Sequence, residues 1–504
     1  MNFFGNVAPK PKPVIKKVSV SVPVPVRPVI RSQPTTPASQ RRLVPSTKKS
    51  LQLKERVKKQ VAKRKASTPL FSDDDADSGV ESSSSSLDPR KRVKSSASSV
   101  DSNRRLEDIK KRSDGGKFTY IHGASLVAGD AGKSYNSLFD GEKRVDVHLR
   151  YPSDSEPERY ACIVNNSAEG GTCSLSFRFT LVWNGVKNDF QPLDDIRETI
   201  KHVCLNYLPE ALIRTHLDEE HGLVRRLIRA ERNKALQDYL DTIEDFNRMI
   251  TKARKDGTIS LELSSKHNLN LDWVQRIHDQ IYSRTVSPQV ESLRAYENGT
   301  NFVYGELLPN LVSEIFRETE LKSDQVFVDL GSGVGNVVVQ AALEIGCESW
   351  GCEIMDNPCK LAELQTKEFP ARARLWGLSV GKAHLVKGDF LEHKKIGEVL
   401  KRADVVLVNN QAFNPNLNDA LMHRFLDLKD GCQIVSLKPF KPEGLELKDW
   451  NVDDPRHLLV NERKLPFYSN SVSWTDAPGE YHIVRKDPSQ LNKFYQSMLG
   501  RSRR

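Results

Sequence analysis

Val326-Phe-Val-Asp-Leu-Gly-Ser-Gly-Val-Gly-Asn336 decides how this chain folds. Val326, Phe327 and Val328 are β-branched or aromatic, as a strand buried on both faces requires. Asp329 ends that strand. Gly331, Gly333 and Gly335 follow as a turn that no side chain crowds, and Asn336 opens an apolar helical run from Val337 to Ile345. Strand, glycine turn and helix N-terminus make the first unit of a nucleotide-binding α/β sheet.

The spacing of the glycines narrows the ligand. A dinucleotide fingerprint reads Gly-x-Gly-x-x-Gly, with its third glycine at position 336. Asn336 stands there instead, and the acidic Asp329 sits just before the first glycine. A carboxylate so close to the loop repels a pyrophosphate but suits the cationic amino-acid end of S-adenosylmethionine. The reading is a class I methyltransferase, an α/β Rossmann-like sheet, rather than a dehydrogenase.

The strands that follow agree. Ser349-Trp-Gly-Cys-Glu-Ile-Met places Glu353 near the end of a second strand, 24 residues after Asp329. A carboxylate there accepts hydrogen bonds from ribose hydroxyls. His384-Leu-Val-Lys-Gly-Asp-Phe-Leu is a third strand ending at Asp389 and Phe390, which suit an adenine amino group and one face of its ring. Ala403-Asp-Val-Val-Leu-Val is the fourth, running into Asn409-Asn-Gln-Ala-Phe413, and Cys432 to Phe440 holds the fifth. Alone, each carboxylate reads as a solvated strand end. In order, they trace the ligand crevice of an open α/β sheet.

Three flanking motifs carry a resemblance. Tyr304-Gly-Glu-Leu-Leu-Pro precedes the first strand, Asn409-Asn-Gln-Ala-Phe follows the fourth, and Val472-Ser-Trp-Thr with Gly-Glu-Tyr481 closes the fold. Over roughly residues 194–485 the chain resembles the DOT-one (disruptor of telomeric silencing) histone methyltransferases, in their fungal form, which methylate a lysine of histone H3 without a SET domain. The resemblance implies that Tyr304, Gly305, Glu306 and Leu307 form a loop over the cofactor. It implies that Phe327, Val328, Asp329, Leu330 and the turn Gly331, Ser332, Gly333, Val334, Gly335, Asn336 bind S-adenosylmethionine together with Glu353, Asp389 and Phe390. Asn409, Phe413, Trp474 and Tyr481, with Tyr304, would serve the lysine channel. It further implies a nucleosomal substrate (histone H3 beside the other core histones, including a ubiquitinated one), a nuclear location, and roles in silencing and the DNA damage response. Gln411 departs from the phenylalanine common at that position in the family. For Trp474 and Tyr481 taken alone, ordinary strand packing is the blander reading. Two other functions remain open from the residues. A nucleic-acid amino-methyltransferase also uses a polar-aromatic motif after its fourth strand, though Asn409-Asn-Gln-Ala-Phe lacks its prolines. A chromatin-binding scaffold would keep the fold without the reaction.

Composition divides the chain near residue 116. Residues 1–116 hold 26 Lys+Arg against 11 Asp+Glu, a net +15, whereas residues 117–504 hold 50 against 55, a net −5. The first 50 residues contain no acid, and prolines recur among valines and lysines. Such a segment buries too little apolar surface to offset its ordering entropy, so a disordered tail is expected. Its clusters Lys54–Lys65 and Arg90–Lys94 suit DNA contact or nuclear import, and Asp73–Asp77 reads as solvated. Residues 117–190 alternate like strands at Lys117–Ile121, Arg144–Arg150 and Cys173–Trp183, with a hairpin at Gly170-Gly171. Residues 191–290 turn helical, with Leu223, Leu227, Leu236, Leu240, Ile243, Phe246 and Ile250 on one apolar stripe. The catalytic core is drawn at 291–490 and a basic tail at 491–504. Seven cysteines without a CxxC pair predict free thiols and no metal site. No apolar run approaches membrane-spanning length, no leader is evident, and the Asn298 sequon then has no role.

Overall fold

The computed structural model describes residues 101–107, 119–128, 135–136, 138–139, 145–161, 164–165, 190–294 and 303–502. Outside them lie the first hundred residues with their basic and acidic clusters, the predicted strand Cys173–Trp183 with its Gly170-Gly171 turn, and the Asn298 sequon.

Among the described residues a seven-stranded sheet forms the centre of the catalytic half. Before it, a two-residue pair (Tyr135–Asn136 with Val164–Asn165) accompanies two longer strands, β1 (Asp146–Leu149) and β2 (Glu158–Ala161), paired as an antiparallel ribbon. The sheet itself comprises β3 (Val326–Leu330), β4 (Glu348–Glu353), β5 (Ala383–Lys387), β6 (Val405–Val408), β7 (Gln433–Ser436), β8 (Leu459–Phe467) and β9 (Gly479–Lys486). Its order is β8-β9-β7-β6-β3-β4-β5, with the first five strands in sequence parallel and β8 and β9 antiparallel. β3 lies between β4 and β6, and all five of its residues are buried, as its β-branched and aromatic sequence requires. The chain steps outward from β3 to β4 and β5, then returns across it to β6 and β7. That reversal opens a crevice at the C-terminal ends of β3 and β6.

Helices α1 (Pro192–Tyr207), α2 (Glu210–His216), α3 (Leu223–Arg232), α4 (Leu236–Lys255), α5 (Thr258–Ser264) and α6 (Leu271–Thr285) precede the sheet. The expected stripe is split between two helices, because Lys234 takes a left-handed backbone (φ 53°) between α3 and α4. Leu223, Leu227, Ile243, Phe246 and Ile250 are buried, with Leu236 and Leu240 packed beside them. Within the sheet half come α7 (Pro309–Glu318), α8 (Asn336–Gln340), α9 (Asp356–Leu375), α10 (Lys394–Leu400) and α11 (Pro415–Phe425).

The ribbon does not form a separate unit. Val147, Leu149, Tyr151 and Tyr160 share one apolar core with α1, α3, α4 and α6 and with Phe369, Ala373 and Trp376 of the sheet half. Inside that core three acids, Glu158, Asp195 and Glu368, meet three arginines, Arg276, Arg284 and Arg372. Arg284 Nη2 donates to Glu158 Oε1 at 2.8 Å and to Asp195 Oδ2 at 2.6 Å. Arg372 donates to Glu158 Oε2 at 2.7 Å and to Glu368 Oε1 at 2.6 Å, and Arg276 pairs with Asp195. Tyr151 donates to Glu158 Oε2 at 2.7 Å, and the Tyr160 hydroxyl donates to Asp195 Oδ2 at 2.8 Å. Burial raises the Asp195 carboxyl, but Arg276 and Arg284 outweigh it and hold the group well below the ordinary range.

Two boundaries drawn from composition shift. The tail was expected to run to residue 116, yet Asp101–Glu107 is strapped onto the fold. Helix α8 widens into a π-turn over Ala341–Ile345, and the Arg104 guanidinium donates to Leu343 O there at 2.5 Å. Leu106 is buried, its carbonyl accepts from Ser379 N, and Glu107 accepts from Ser260 Oγ on α5. A polar segment of balanced charge with one leucine gives no local sign that it will dock. At the other end, residues expected as a basic tail form helix α12 (Ser489–Ser502). Leu491, Phe494, Tyr495, Met498 and Leu499 fall at helical spacing, and Tyr495 donates to Asp453. Thr119–Ile121 forms no strand. Among the described residues no helix is long and apolar enough to cross a membrane.

Replacing Glu158 by alanine strands Arg284 and Arg372 without a counter-charge, and denaturant unfolding should show a loss of about 3–5 kcal/mol. A loss below about 1 kcal/mol would show that the cluster does not hold the halves together. Asp195, depressed in the fold, contributes stability above its unfolded value, and this share is lost as the pH falls below about 4. A second expectation concerns the strap. A chain beginning at Lys117 should melt several degrees below one beginning at Asp101, and equal melting would mean that the strap contributes nothing.

Candidate active site

The crevice at the ends of β3 and β6 is a cavity of about 1120 Å³ including its open mouth. Gly331, Gly333 and Gly335 all have positive φ, of 88°, 55° and 91°, so the turn is closed to ordinary side chains. The N–H groups of Gly331 and Ser332 donate to Cys352 O, fixing the turn to the end of β4. Asp329 lies beneath it, 4% exposed, and no protein donor reaches its carboxylate among the described residues. Burial first and the charge of Glu353 second push its pKa up to about 8. Glu353 accepts N–H groups from Gly333, Ile354 and Met355 at 2.9, 2.9 and 2.7 Å, which aims the carboxylate along the cavity wall. Asp389 accepts from Leu391 N at 2.8 Å, and Phe390 stacks near Phe413 with ring centroids 6.2 Å apart.

Val303–Leu307 covers this turn. The Tyr304 ring lies so close to Gly333 that a Cβ there would sit 2.9 Å from Cε2. Its hydroxyl accepts from the backbone of Val334 and donates to Glu306. Burial pushes the Glu306 carboxyl up to about 7, against the lowering by Tyr304 and by the nearby Tyr282 and Asn336 side chains. The loop is paired behind with Ser471–Ser473: Leu308 N donates to Ser471 O, Ser473 N to Glu306 O, and Glu306 N to Ser473 Oγ. Asn409, just past β6, donates from Nδ2 to Gly305 O at 3.3 Å, while its Oδ1 is buried with no donor.

Tyr304, Gly305, Glu306, Leu307, Asp329, Gly331, Ser332, Gly333, Val334, Asn336, Glu353, Asp389, Phe390, Asn409 and Phe413 therefore converge on one cavity. Six expected site residues do not wall it. Phe327, Val328 and Leu330 point their side chains into the core on either side of β3, a consequence of the central strand's two covered faces. Gly335 caps α8, and a Cβ there would meet Leu385 at 2.3 Å. Tyr481, expected in the lysine channel, is completely buried in the core on β9, its hydroxyl directed to Glu314 at 3.4 Å. Strand alternation turns it inward. Trp474 backs the loop instead of facing the cavity, 2.8 Å from where a Gly305 Cβ would be. The walls also include Val303, Val337, Ile354, Met355, Leu407 and Leu417, which the sequence reading missed because isolated apolar residues carry no motif.

Residues and cavity fit S-adenosylmethionine. Two carboxylates, Asp329 and Glu353, share a cavity without a cation, so a ligand bearing a positive charge is complementary. When bound, that cofactor supplies a methyl group already activated on a sulfonium.

The family described as "Histone methylation protein DOT1" matches residues 282–485. A protein of Aspergillus fumigatus named histone-lysine N-methyltransferase, H3 lysine-79 specific, is 50% identical over 379 residues, covering 75% of this chain and 72% of the relative. The protein of that name in Emericella nidulans is 48% identical over the same shares of each chain. The one in Yarrowia lipolytica is 39% identical over 64% of this chain and 66% of its own.

Gly333→Ala should weaken S-adenosylmethionine binding at least about tenfold, because the new methyl must displace Tyr304 and the backbone strain adds about 1 kcal/mol. Calorimetry beside a melting curve checks this, and unchanged affinity would detach the turn from the cofactor. With three quarters of its residues aligned to relatives at about half identity, the chain belongs to the DOT1 family of histone-lysine methyltransferases.

Proposed function

We propose that this chain transfers a methyl group from S-adenosylmethionine to lysine 79 of histone H3 within nucleosomes, with Asn409 receiving the acceptor amine. The observation that carries the proposal is the buried Oδ1 of Asn409, an acceptor with no donor at the end of the cofactor crevice. A buried carbonyl oxygen left unpaired is unfavourable by about 1–3 kcal/mol, which a substrate N–H relieves. The amide is oriented by its own Nδ2, which donates to Gly305 O, so the oxygen faces the incoming group.

The chemistry asks little more of the protein than alignment and dryness. A lysine side chain has an ordinary pKa of about 10.4 and arrives protonated. Apolar walls, Phe413 and Leu417 among them, disfavour its charge and hold its aliphatic stem, so the ammonium proton is released to solvent at the open mouth as the side chain enters. Asn409 Oδ1 then accepts from the neutral amine and directs its lone pair at the methyl group, where alignment supplies most of the rate. Tyr304, Glu306 and Leu307 close over the cofactor, Asp329 faces its amino-acid end, Glu353 its ribose, and Asp389 with Phe390 its base. The nucleus and the nucleosome follow from such a substrate. The basic residues of 1–116 supply the attraction to DNA that a catalytic half of net charge −5 lacks.

Radiolabelled cofactor offered to nucleosomes, free histone H3 and bare nucleic acid tests the reading. Label should enter histone H3 of nucleosomes and vanish when arginine replaces lysine 79 of that histone. Transfer should also fall steeply with added salt. Label in nucleic acid, or none at all, would overturn the assignment. Asn409→Ala should lower turnover about a hundredfold or more while cofactor affinity changes less than about threefold. Equal losses in both would place Asn409 in the cofactor site.

A further inference from the structure

The ladder between β6 and β7 ends where Val408 faces Ser436. Past that rung the chain leaving β6 turns sharply: Asn410 N donates to Val408 O at 2.9 Å, and Phe413 N to Asn410 O at 3.2 Å. A chain that turns there offers no further main-chain partner to the end of β7, where the N–H groups of Leu437 and Lys438 still need acceptors. Asn410 supplies them from its side chain. It is wholly buried, and its Oδ1 accepts from Leu437 N at 3.1 Å and from Lys438 N at 2.8 Å. Its Nδ2 donates to Lys438 O at 3.1 Å and to Asn418 Oδ1 of α11 at 3.2 Å.

Both lone pairs and both N–H groups of this amide are engaged, the full capacity of an asparagine side chain. One residue thereby joins the end of β6, the chain leaving β7 and the first turn of α11. Its neighbours form the acceptor end of the crevice: Asn409 directly before it, Phe413 closing its turn, and Leu417 beside Asn418. Successive side chains of an extended segment point to opposite sides. With Asn410 committed to β7, Asn409 is turned to the crevice, where its Nδ2 reaches Gly305 O. Gln411 and Ala412 are exposed on the turn, so the departure at Gln411 alters the rim and leaves the buried amide untouched.

We propose that Asn410 is a positioning residue for methyl transfer, acting through Asn409 by fixing where its Oδ1 meets the acceptor amine. The Asn409 side chain has a single long hydrogen bond of its own, 3.3 Å to Gly305 O, which restrains the amide weakly. In-line transfer tolerates little displacement of the attacking nitrogen. The restraint comes from the adjacent residue, whose four hydrogen bonds lock the backbone that carries Asn409. Asn410 itself lies behind the cavity wall and not on it. Its loss therefore bears on turnover and spares the cofactor end of the crevice, where Glu353 and Asp389 stand on other strands.

The inference rests on Asn409 receiving the acceptor amine, and the experiment separates the two. The full chain is compared as wild type, Asn410→Ala, Asn409→Ala and the double variant. Turnover and KM are measured with nucleosomes, S-adenosylmethionine affinity by calorimetry, and folding by melting curves. Asn410→Ala should lower kcat about thirtyfold while nucleosome KM and cofactor affinity change less than about threefold. In the Asn409→Ala background the same change should lower kcat less than about threefold further, because the group it positions is gone. An equal loss in both backgrounds, a fall in cofactor affinity as large as that in kcat, or an unchanged kcat would each overturn the proposal. Should Asn410→Ala fail to fold, Asn418→Ala removes only the contact to α11, and it must lower kcat about threefold when Asn409 is present and not when it is absent. Turnover unaffected by Asn409→Ala alone would instead overturn the acceptor-amine reading itself.

Discussion

The pairing of Glu158 with Arg284 and Arg372 is the constraint on which the remaining architecture depends. One fully buried carboxylate receives a guanidinium from α6 and another from α9, with Tyr151 donating beside them and Tyr160 bonding the neighbouring Asp195. The three acids and three arginines that hydrogen-bond one another balance in charge. Such a cluster is weak evidence of net stability, since desolvation consumes much of the Coulombic gain. Its geometry is demanding, however, because each ion becomes unfavourable once a partner moves. A ribbon, two helices and the segment at Ile121, whose carbonyl accepts from Arg372, are thereby held in one arrangement.

That arrangement reaches the reaction through the same two helices. Helix α6 carries Arg276 and Arg284 on the face toward the cluster, and Tyr282 and His278 toward the loop and the glycine turn. Helix α9 carries Glu368 and Arg372 at one end and Gln365 one turn earlier, bonded to Val334 and Asn336. The cofactor crevice of an open α/β sheet is usually described by its strands and turns. Here the glycine turn is also braced from behind by Gln365, on a helix that does not line the crevice.

The carboxylates inside the crevice follow a different logic. Asp329 and Glu353 lie in a shared cavity, and burial raises Asp329 until it is half protonated near pH 8. A cationic ligand returns it to the ionised form, so binding and ionisation are linked, and cofactor affinity gains as the pH rises toward that value. Glu353 differs because three backbone N–H groups already satisfy it. The two acids, similar in sequence context, thus hold unlike positions: one awaits a charge and the other is a fixed acceptor.

How much of this was legible beforehand depends on range. The strand, glycine turn and helix at 326–336, and the acids at the ends of successive strands, are local patterns with a period of two or a fixed turn chemistry. They identified the sheet, the cofactor class and most of the cavity wall. Side-chain direction already exceeded that reach: Tyr481 shares a motif with the site but alternation turns it into the core, and Trp474 sits behind the loop. The leucine stripe announced helices, but the break at Lys234 depended on packing. The strap at Arg104 docks on carbonyls released by a π-turn some 240 residues away. Glu158 meets Arg372 across 214 residues, and no periodicity links them. The sequence by itself determined the catalytic sheet, its ligand chemistry and the charge division of the chain, because those reside in neighbouring residues. Only the tertiary structure decided which buried charges find each other and which segment backs the loop, since burial converts distant, unremarked side chains into partners that must pair.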